Sequence, residues 1–276
     1  MSPTPRPKTP DAFDLYELAV TNPAPIARFL ASAHGGTPLV LREDFSGSGA
    51  LCRGWVQSVP GGRAIAVDSL AAPLAKLRGV ASVEPVKADV LECRVKADII
   101  AATNFPLGYW HTRAELLTYL KHAISCLKPG GVFACDLYGG SDAFTPGSTH
   151  VKLPGPNGSK LRYTWEQRDA DPLTARVLNA IHFELTPKAG KVVRFPDAFV
   201  YDWRLWSIPE MTDAMMDAGF TSVDVYDSLG DAIDQDGRLY VRPLQPGDGL
   251  DDPFVVYLVA RKGVSGRRAR SARGRS

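Results

Sequence analysis

The segment Pro38-Leu-Val-Leu-Arg-Glu-Asp-Phe-Ser-Gly-Ser-Gly-Ala-Leu-Cys-Arg53 constrains the fold more than any other part of the chain. An apolar run ends in two acids, turns through Gly47 and Gly49, and passes into an amphipathic stretch. This is the pattern of a buried parallel strand feeding a nucleotide-binding turn and a helix. A second apolar run, Ala64-Ile-Ala-Val67, ends in Asp68, placed about 20 residues after the glycines, where a carboxylate can accept both hydroxyls of a ribose. Together the two runs predict a strand–turn–helix–strand unit that holds an adenosine.

The turn discriminates between adenosine ligands. A dinucleotide site needs G-x-G-x-x-G/A so that the backbone can approach a pyrophosphate and the helix can pack on its strand. Here Cys52 stands in place of the third small residue, and Glu43 and Asp44 crowd the turn. Two carboxylates repel a pyrophosphate and attract a ligand that carries an ammonium and a sulfonium. S-adenosylmethionine is therefore expected in preference to NAD.

At these residues the chain resembles the class I S-adenosylmethionine-dependent methyltransferases, whose first motif is an acid followed by three spaced glycines. Glu43 takes the acidic position, Gly47 and Gly49 the last two glycines, and Phe45 stands where the first would be. Phe45 lacks the backbone freedom of glycine, so a different turn is expected there. Leu127-Lys-Pro-Gly-Gly131 before a strand and Ala218-Gly-Phe220 before another also resemble the family, and the likeness covers about Leu39 to Arg261.

Periodicity predicts strands at Leu39 to Glu43, Arg63 to Val67, Ser82 to Lys87, Ala97 to Thr103 and Val132 to Leu137. Helices are expected at Ala50 to Ser58, Ala71 to Leu77, Arg113 to Leu127 and Pro209 to Ala218. Alternation of the two argues for an α/β, doubly wound, mostly parallel sheet, and the resemblance implies seven strands in a Rossmann-like methyltransferase fold. Residues 11–37 read as an N-terminal helical cap and 38–138 as the cofactor-binding half. Lys160 to Gln167, Arg176 to Glu184 and Lys191 to Trp203 alternate like an antiparallel meander, a lid insertion over 160–206. The methyltransferase domain is expected over 11–262, between a disordered 1–10 and a disordered Arg-rich tail at 263–276. The long connection Asp227 to Pro253 is expected on the substrate side.

The resemblance also implies roles. Glu43 and Asp44 would face the methionine amino group, with Phe45, Gly47 and Gly49 forming the turn beneath it. Asp68 would take the ribose, Asp89 the adenine amino group, and Val90 would pack on the ring. Glu43 and Asp44 can also be read as strand-end carboxylates that cap the next helix, and Asp89 as a helix N-cap. Asn104-Phe-Pro106 resembles part of the Asn-Pro-Pro-Tyr motif and places Asn104 beside the transferable methyl, or in a backbone turn. Tyr109 and His111 are further catalytic candidates, His111 as general base. Tyr16, Tyr163, Tyr201 and Arg204 are candidates for the acceptor, and most of the aromatics also read as lid core. Asp136 with Asn104 lacks the acid–amide pair of a magnesium site, so no metal is expected.

No apolar run approaches the ~20 residues of a membrane span, and the N-terminal ten residues carry no apolar signal core, so a soluble cytoplasmic chain without membrane contact is expected. Cys52, Cys93, Cys126 and Cys135 have no C-x-x-C spacing and read as buried thiols. The net charge of +2 conceals seven cations from Arg261 onward with no acid among them, so the body is acidic and only the tail offers weak attraction to nucleic acid. A small-molecule acceptor, methylated at nitrogen or oxygen, follows, ahead of a protein or RNA acceptor. An NAD-dependent oxidoreductase and a non-catalytic adenosine-binding module are the competing classes.

Overall fold

The structure, a computed structural model, describes residues 10–230, 232–233, 235 and 239–264. Of the expected disordered ends, all but Pro10, Gly263 and Val264 lie outside the described residues. Two helices, α1 (Ala12–Val20) and α2 (Pro23–His34), lead into alternating elements. These are β1 (Val40–Asp44), α3 (Ala50–Ser58), β2 (Arg63–Asp68), α4 (Ala71–Leu74), β3 (Val83–Lys87), β4 (Ala97–Ala102), α5 (Arg113–Cys126) and β5 (Leu127–Gly139). Four strands follow, β6 (Gly147–Pro154), β7 (Lys160–Asp171), β8 (Arg176–Thr186) and β9 (Val193–Arg204), then α6 (Ile208–Ala218), β10 (Ser222–Tyr226) and β11 (Phe254–Arg261).

Seven strands form one sheet in the order β10-β11-β5-β4-β1-β2-β3, with β11 antiparallel to both of its neighbours and the remaining pairs parallel. This is the doubly wound, mostly parallel sheet that the alternating pattern predicts, and β6 to β9 are the inserted antiparallel sheet. One face of the large sheet buries Tyr119, Phe133 and Met211 under α5 and α6, and the other buries Phe29, Leu41 and Trp55 under α2 and α3. Burying each of these side chains contributes about 1.5–3 kcal/mol, which is why the strands read as continuous apolar runs.

The insertion has four strands, one more than its alternation predicts. The missed strand β6 is an edge whose side chains are exposed except for a half-buried Leu153, so no apolar face repeats along it. The connection 227–253 also departs from expectation. Leu239 and Val241 pack against the cluster that holds Phe29 and Tyr226, on the α2 side of the sheet, and among the described residues of the connection only the terminal Pro253 lines either cavity of the site. Its apolar side chains follow the nearest apolar surface, which is the helix face.

The fully buried strand β1 carries two charges inward. Arg42 and Asp44, alternate residues on one face, form an ion pair with Nε–Oδ1 at 2.6 Å and neither side chain exposed. The guanidinium also donates to the carbonyls of Val90 and Cys93 at 2.9 and 2.8 Å, and the Tyr119 hydroxyl donates to Asp44 Oδ2 at 2.9 Å. The pair thus fastens β1 to the segment after β3 and to α5. Removing one partner leaves an unpaired buried charge, so Arg42→Met should destabilise the chain by about 3–5 kcal/mol. Urea unfolding of the Arg42→Met, Asp44→Leu double variant should recover most of that loss. A double variant as unstable as the single one would show that the pair is not what holds the strand.

Candidate functional site

The site is built from two backbone turns at the carboxyl end of the sheet. In the first, between β1 and α3, Phe45, Gly47 and Gly49 all have left-handed φ values of 59°, 52° and 68°. The Gly47 N–H donates to Asp68 Oδ2 and the Leu70 N–H to Asp68 Oδ1, both at 2.8 Å. Asp68 therefore pins the turn as well as lining the cavity above it, and its two oxygens keep lone pairs for a ligand's hydroxyls. A Cβ on Gly49 would stand 2.7 Å from Leu77 Cδ1, so the residue satisfies both an angle and a close approach. Phe45 corrects the expectation of a different turn: it adopts the glycine-like angle itself. That conformation costs about 1–2 kcal/mol, offset by packing of its ring 5.9 Å from Tyr119 and 6.3 Å from Tyr109.

The two acids of the motif part company. Glu43 lines the cavity and accepts the Cys52 N–H at 3.2 Å, so it caps α3 while presenting a carboxylate to the site. Burial pushes its carboxyl up to about 7. Asp44 does not face the cavity, because consecutive strand residues point to opposite faces and its oxygens are taken by Arg42 and Tyr119. Asp89 is exposed outside the cavity wall, with Oδ1 accepting the Leu91 N–H at 2.8 Å, and thus serves as a local turn cap. Val90 is 5% exposed within the core beside α5, so it is not positioned to pack on a ring in the cavity.

The second turn follows β4. Asn104 and Phe105 are consecutive left-handed residues, φ 68° and 64°, and their N–H groups donate to Asp136 Oδ2 and Oδ1, each at 2.8 Å. Burial raises the Asp136 carboxyl to about 6 against the lowering effect of these two bonds. Strained pairs of this kind persist only where the surroundings over-determine them, and they concentrate at functional sites. Asn104 consequently faces both cavities described below. A short 3-10 turn, Pro106–Tyr109, brings Tyr109 to the same wall. At Gly108 a Cβ would stand 2.6 Å from Trp203 Cγ, so the missing side chain is what lets the lid rest on this turn. His111 does not reach the cavities: its Nε2 donates to the Asp202 carbonyl at 2.8 Å, so the general base expected at this position does not line the site.

Above the turns lies the inner face of the lid. Phe199, Tyr201 and Trp203 alternate along β9, with Tyr201 stacked 4.4 Å from Trp203 and Trp165 of β7 6.3 Å from Tyr201. Helix α1 inserts Tyr16 against this face, 5.1 Å from Phe199. Two cavities result. One, of 420 Å³, lies over the first turn and includes Glu43, Gly47, Asp68, Leu70, Asn104 and Tyr109. The other, of 360 Å³, lies under the lid and includes Tyr163, Trp165, Tyr138, Gln167 and Phe254. Tyr16, Asn104, Tyr201 and Trp203 line both and form their common wall.

Arg204 lies outside both cavities. Its guanidinium stacks 3.9 Å over Trp206 and donates to the His111 carbonyl at 3.1 Å and to Glu210 at 3.2 Å, which ties the lid to α6. The sequence reading did not single out Trp203 as a shared wall or Asp136 as the anchor of the Asn104 turn. Alternation along β9 marks the first, whereas the second depends on β4 and β5 pairing, which no local pattern shows. Among the described residues no group of three or more His, Cys, Asp or Glu is placed to hold a metal, and no helix is long and apolar enough to cross a membrane.

Asp136→Asn should leave one of two buried N–H groups facing an amide NH₂, costing about 1–3 kcal/mol of stability and loosening the turn. Hydrogen exchange at the Asn104 and Phe105 amides should accelerate more than exchange elsewhere. Unchanged protection at both would mean that the turn holds itself.

No protein-family model matches the sequence, and no curated protein matches it either. Solved structures do. An S-adenosylmethionine-dependent methyltransferase from Clostridium acetobutylicum aligns over 90% of this chain and 96% of its own, at 15% identity and a TM-score of 0.67. DesVI of Streptomyces venezuelae aligns over 91% and 97%, at 16% identity and 0.69. CalS10, an amino pentose methyltransferase from Micromonospora echinaspora with S-adenosylmethionine bound, aligns over 93% and 99%, at 15% identity and 0.67. Over about nine-tenths of its length the chain has the fold of the S-adenosylmethionine-dependent methyltransferases.

Proposed function

We propose that this chain transfers a methyl group from S-adenosylmethionine to nitrogen or oxygen of a small molecule. The observation that carries the reading is the charge of the larger cavity: it includes Glu43 and Asp68 but, among the described residues, no lysine, arginine or histidine. A dinucleotide's pyrophosphate would find no counter-charge there, while a ligand with an ammonium and a sulfonium meets carboxylates. Its 420 Å³ lies within the ~300–1,000 Å³ usual for cofactor sites.

The donor set fits the group. Asp68 would accept the ribose hydroxyls, Glu43 would face the amino group, and the half-buried turn at Gly47 would lie beneath the ligand. When bound, S-adenosylmethionine supplies a methyl group on positively charged sulfur. The chain's own work is positional: Asn104, fixed by Asp136, stands at the common wall, and the aromatic face of the lid forms one side of the second cavity. That cavity holds 360 Å³ and, among the described residues, includes no basic side chain, which suits a small acceptor and disfavours RNA or a protein segment. The amino-sugar methylation named for CalS10 is consistent with this size.

Two results are expected from calorimetry. Affinity for S-adenosylmethionine should fall about tenfold from pH 8 to pH 6, because Glu43, with its carboxyl near 7, is ionised above that value and neutral below it. Glu43→Gln should bind more weakly at pH 8 and lose the dependence. Asp68→Asn, which keeps one acceptor for the Gly47 amide, should weaken binding roughly 10- to 100-fold by losing charge-assisted bonds to the ribose. A flat pH profile, or wild-type affinity in folded Asp68→Asn, would remove those residues from the site. Tighter binding of NADH than of S-adenosylmethionine would overturn the function itself.

A further inference from the structure

The cavity under the lid identifies the kind of nucleophile it can serve. Its lid side consists of Tyr16, Tyr163, Trp165, Tyr201 and Trp203, and its sheet side includes Phe105, Tyr138 and Phe254. Apart from Asn104 and the indole N–H donors of Trp165 and Trp203, its polar side-chain lining is confined to the phenols, Gln167 and Asp142, and Gln167 is engaged with the Ala143 carbonyl at 3.0 Å. Asp142 is exposed in the 3-10 turn Ser141–Phe144, at the outer edge of the cavity. No described histidine, lysine, arginine or cysteine lines it.

The common wall therefore holds no group able to remove a proton at neutral pH. Burial keeps the Tyr16 and Tyr201 phenols protonated, and it pushes Tyr163 and Tyr138 up to about 12. Asp136 is committed to two backbone N–H groups, and Glu43 and Asp68 belong to the neighbouring cavity. An aliphatic hydroxyl needs a base before it can attack, whereas a neutral amine already has its lone pair. The walls also favour what the amine becomes, since faces of Trp and Tyr attract a cation within about 6 Å of their centroids, most strongly where water is excluded.

We infer that the acceptor is the nitrogen of a small apolar amine, seated among the aromatic side chains under the lid. This deepens the methyltransferase reading and rests on it. The nitrogen lone pair forms the new N–C bond to the methyl group as the C–S bond breaks, and the electrons of that bond stay on sulfur. Positive charge passes from sulfur to nitrogen, that is, from the cavity with the carboxylates into the cavity with the aromatic walls. A primary or secondary amine then releases its extra proton to solvent.

The test is calorimetry on the full chain saturated with S-adenosylhomocysteine, comparing phenyltrimethylammonium with its neutral isostere tert-butylbenzene. The cation should bind at least about tenfold more tightly than the neutral compound. In Trp165→Leu, a residue that lines the lid cavity and not the cofactor cavity, the preference should shrink at least about threefold, with S-adenosylhomocysteine affinity as the check that folding and the common wall of Tyr201 and Trp203 are kept. Equal or tighter binding of tert-butylbenzene, or an unchanged preference in Trp165→Leu, would overturn the inference while leaving the cofactor site standing. Failure of the wild type to bind S-adenosylhomocysteine would overturn the methyltransferase reading, and this inference with it.

Discussion

Backbone N–H groups donating to carboxylates of the next strand fix both turns from which the site is made. Asp68 at the end of β2 receives the Gly47 amide from the turn after β1, and Asp136 in β5 receives the Asn104 and Phe105 amides from the turn after β4. Each bond joins strands that are neighbours in the sheet, so the pairing of β1 with β2 and of β4 with β5 sets the positions of the groups above them. Left-handed residues other than glycine stand at both places, Phe45 in the first turn and Asn104 with Phe105 in the second. Their strain is tolerable because the buried Asp136, the half-buried Asp68 and packed rings hold the turns. The lid rests on the second turn through Gly108 and Trp203, so the cavities inherit the same reference frame.

From that frame follows a division of charge. Glu43 and Asp68 line the larger cavity, aromatic rings dominate the smaller one, whose carboxylate Asp142 is exposed, and the wall between them carries neutral groups. A donor that gives up positive charge suits the first environment, and an acceptor that gains it suits the second. The pairing of Arg42 with Asp44 keeps a third carboxylate out of the site, on the opposite face of β1. Side-chain alternation thus sorts one acid into the site and one into the core.

The sequence displays those features whose cause is local. Gly47, Gly49 and Asp68 were legible because a tight turn after a buried strand restricts residue type, and the apolar runs were legible because a sheet covered on both faces leaves no polar position. The large sheet and its inserted antiparallel lid followed. Less legible were roles that depend on direction. Asp44, Val90 and Arg204 have the residue types the site would want, yet they face Arg42, the core and Trp206. His111 is turned to a carbonyl of β9 that only the folded lid supplies. The strand β6 escaped notice because an exposed edge needs no apolar face, and the function of Asp136 became visible only with β4 and β5 side by side. Alternation alone should have separated Glu43 from Asp44, since neighbours in a strand cannot share a face.

The central claim is that the two cavities divide cofactor from acceptor at the wall of Tyr16, Asn104, Tyr201 and Trp203. A crystal structure with S-adenosylhomocysteine bound tests it most directly. The account predicts ribose hydroxyls on Asp68, the amino group near Glu43, and the sulfur turned towards Asn104 and the lid cavity. Adenine lodged among Tyr163, Trp165 and Tyr201, with the Asp68 cavity filled only by water, would contradict it.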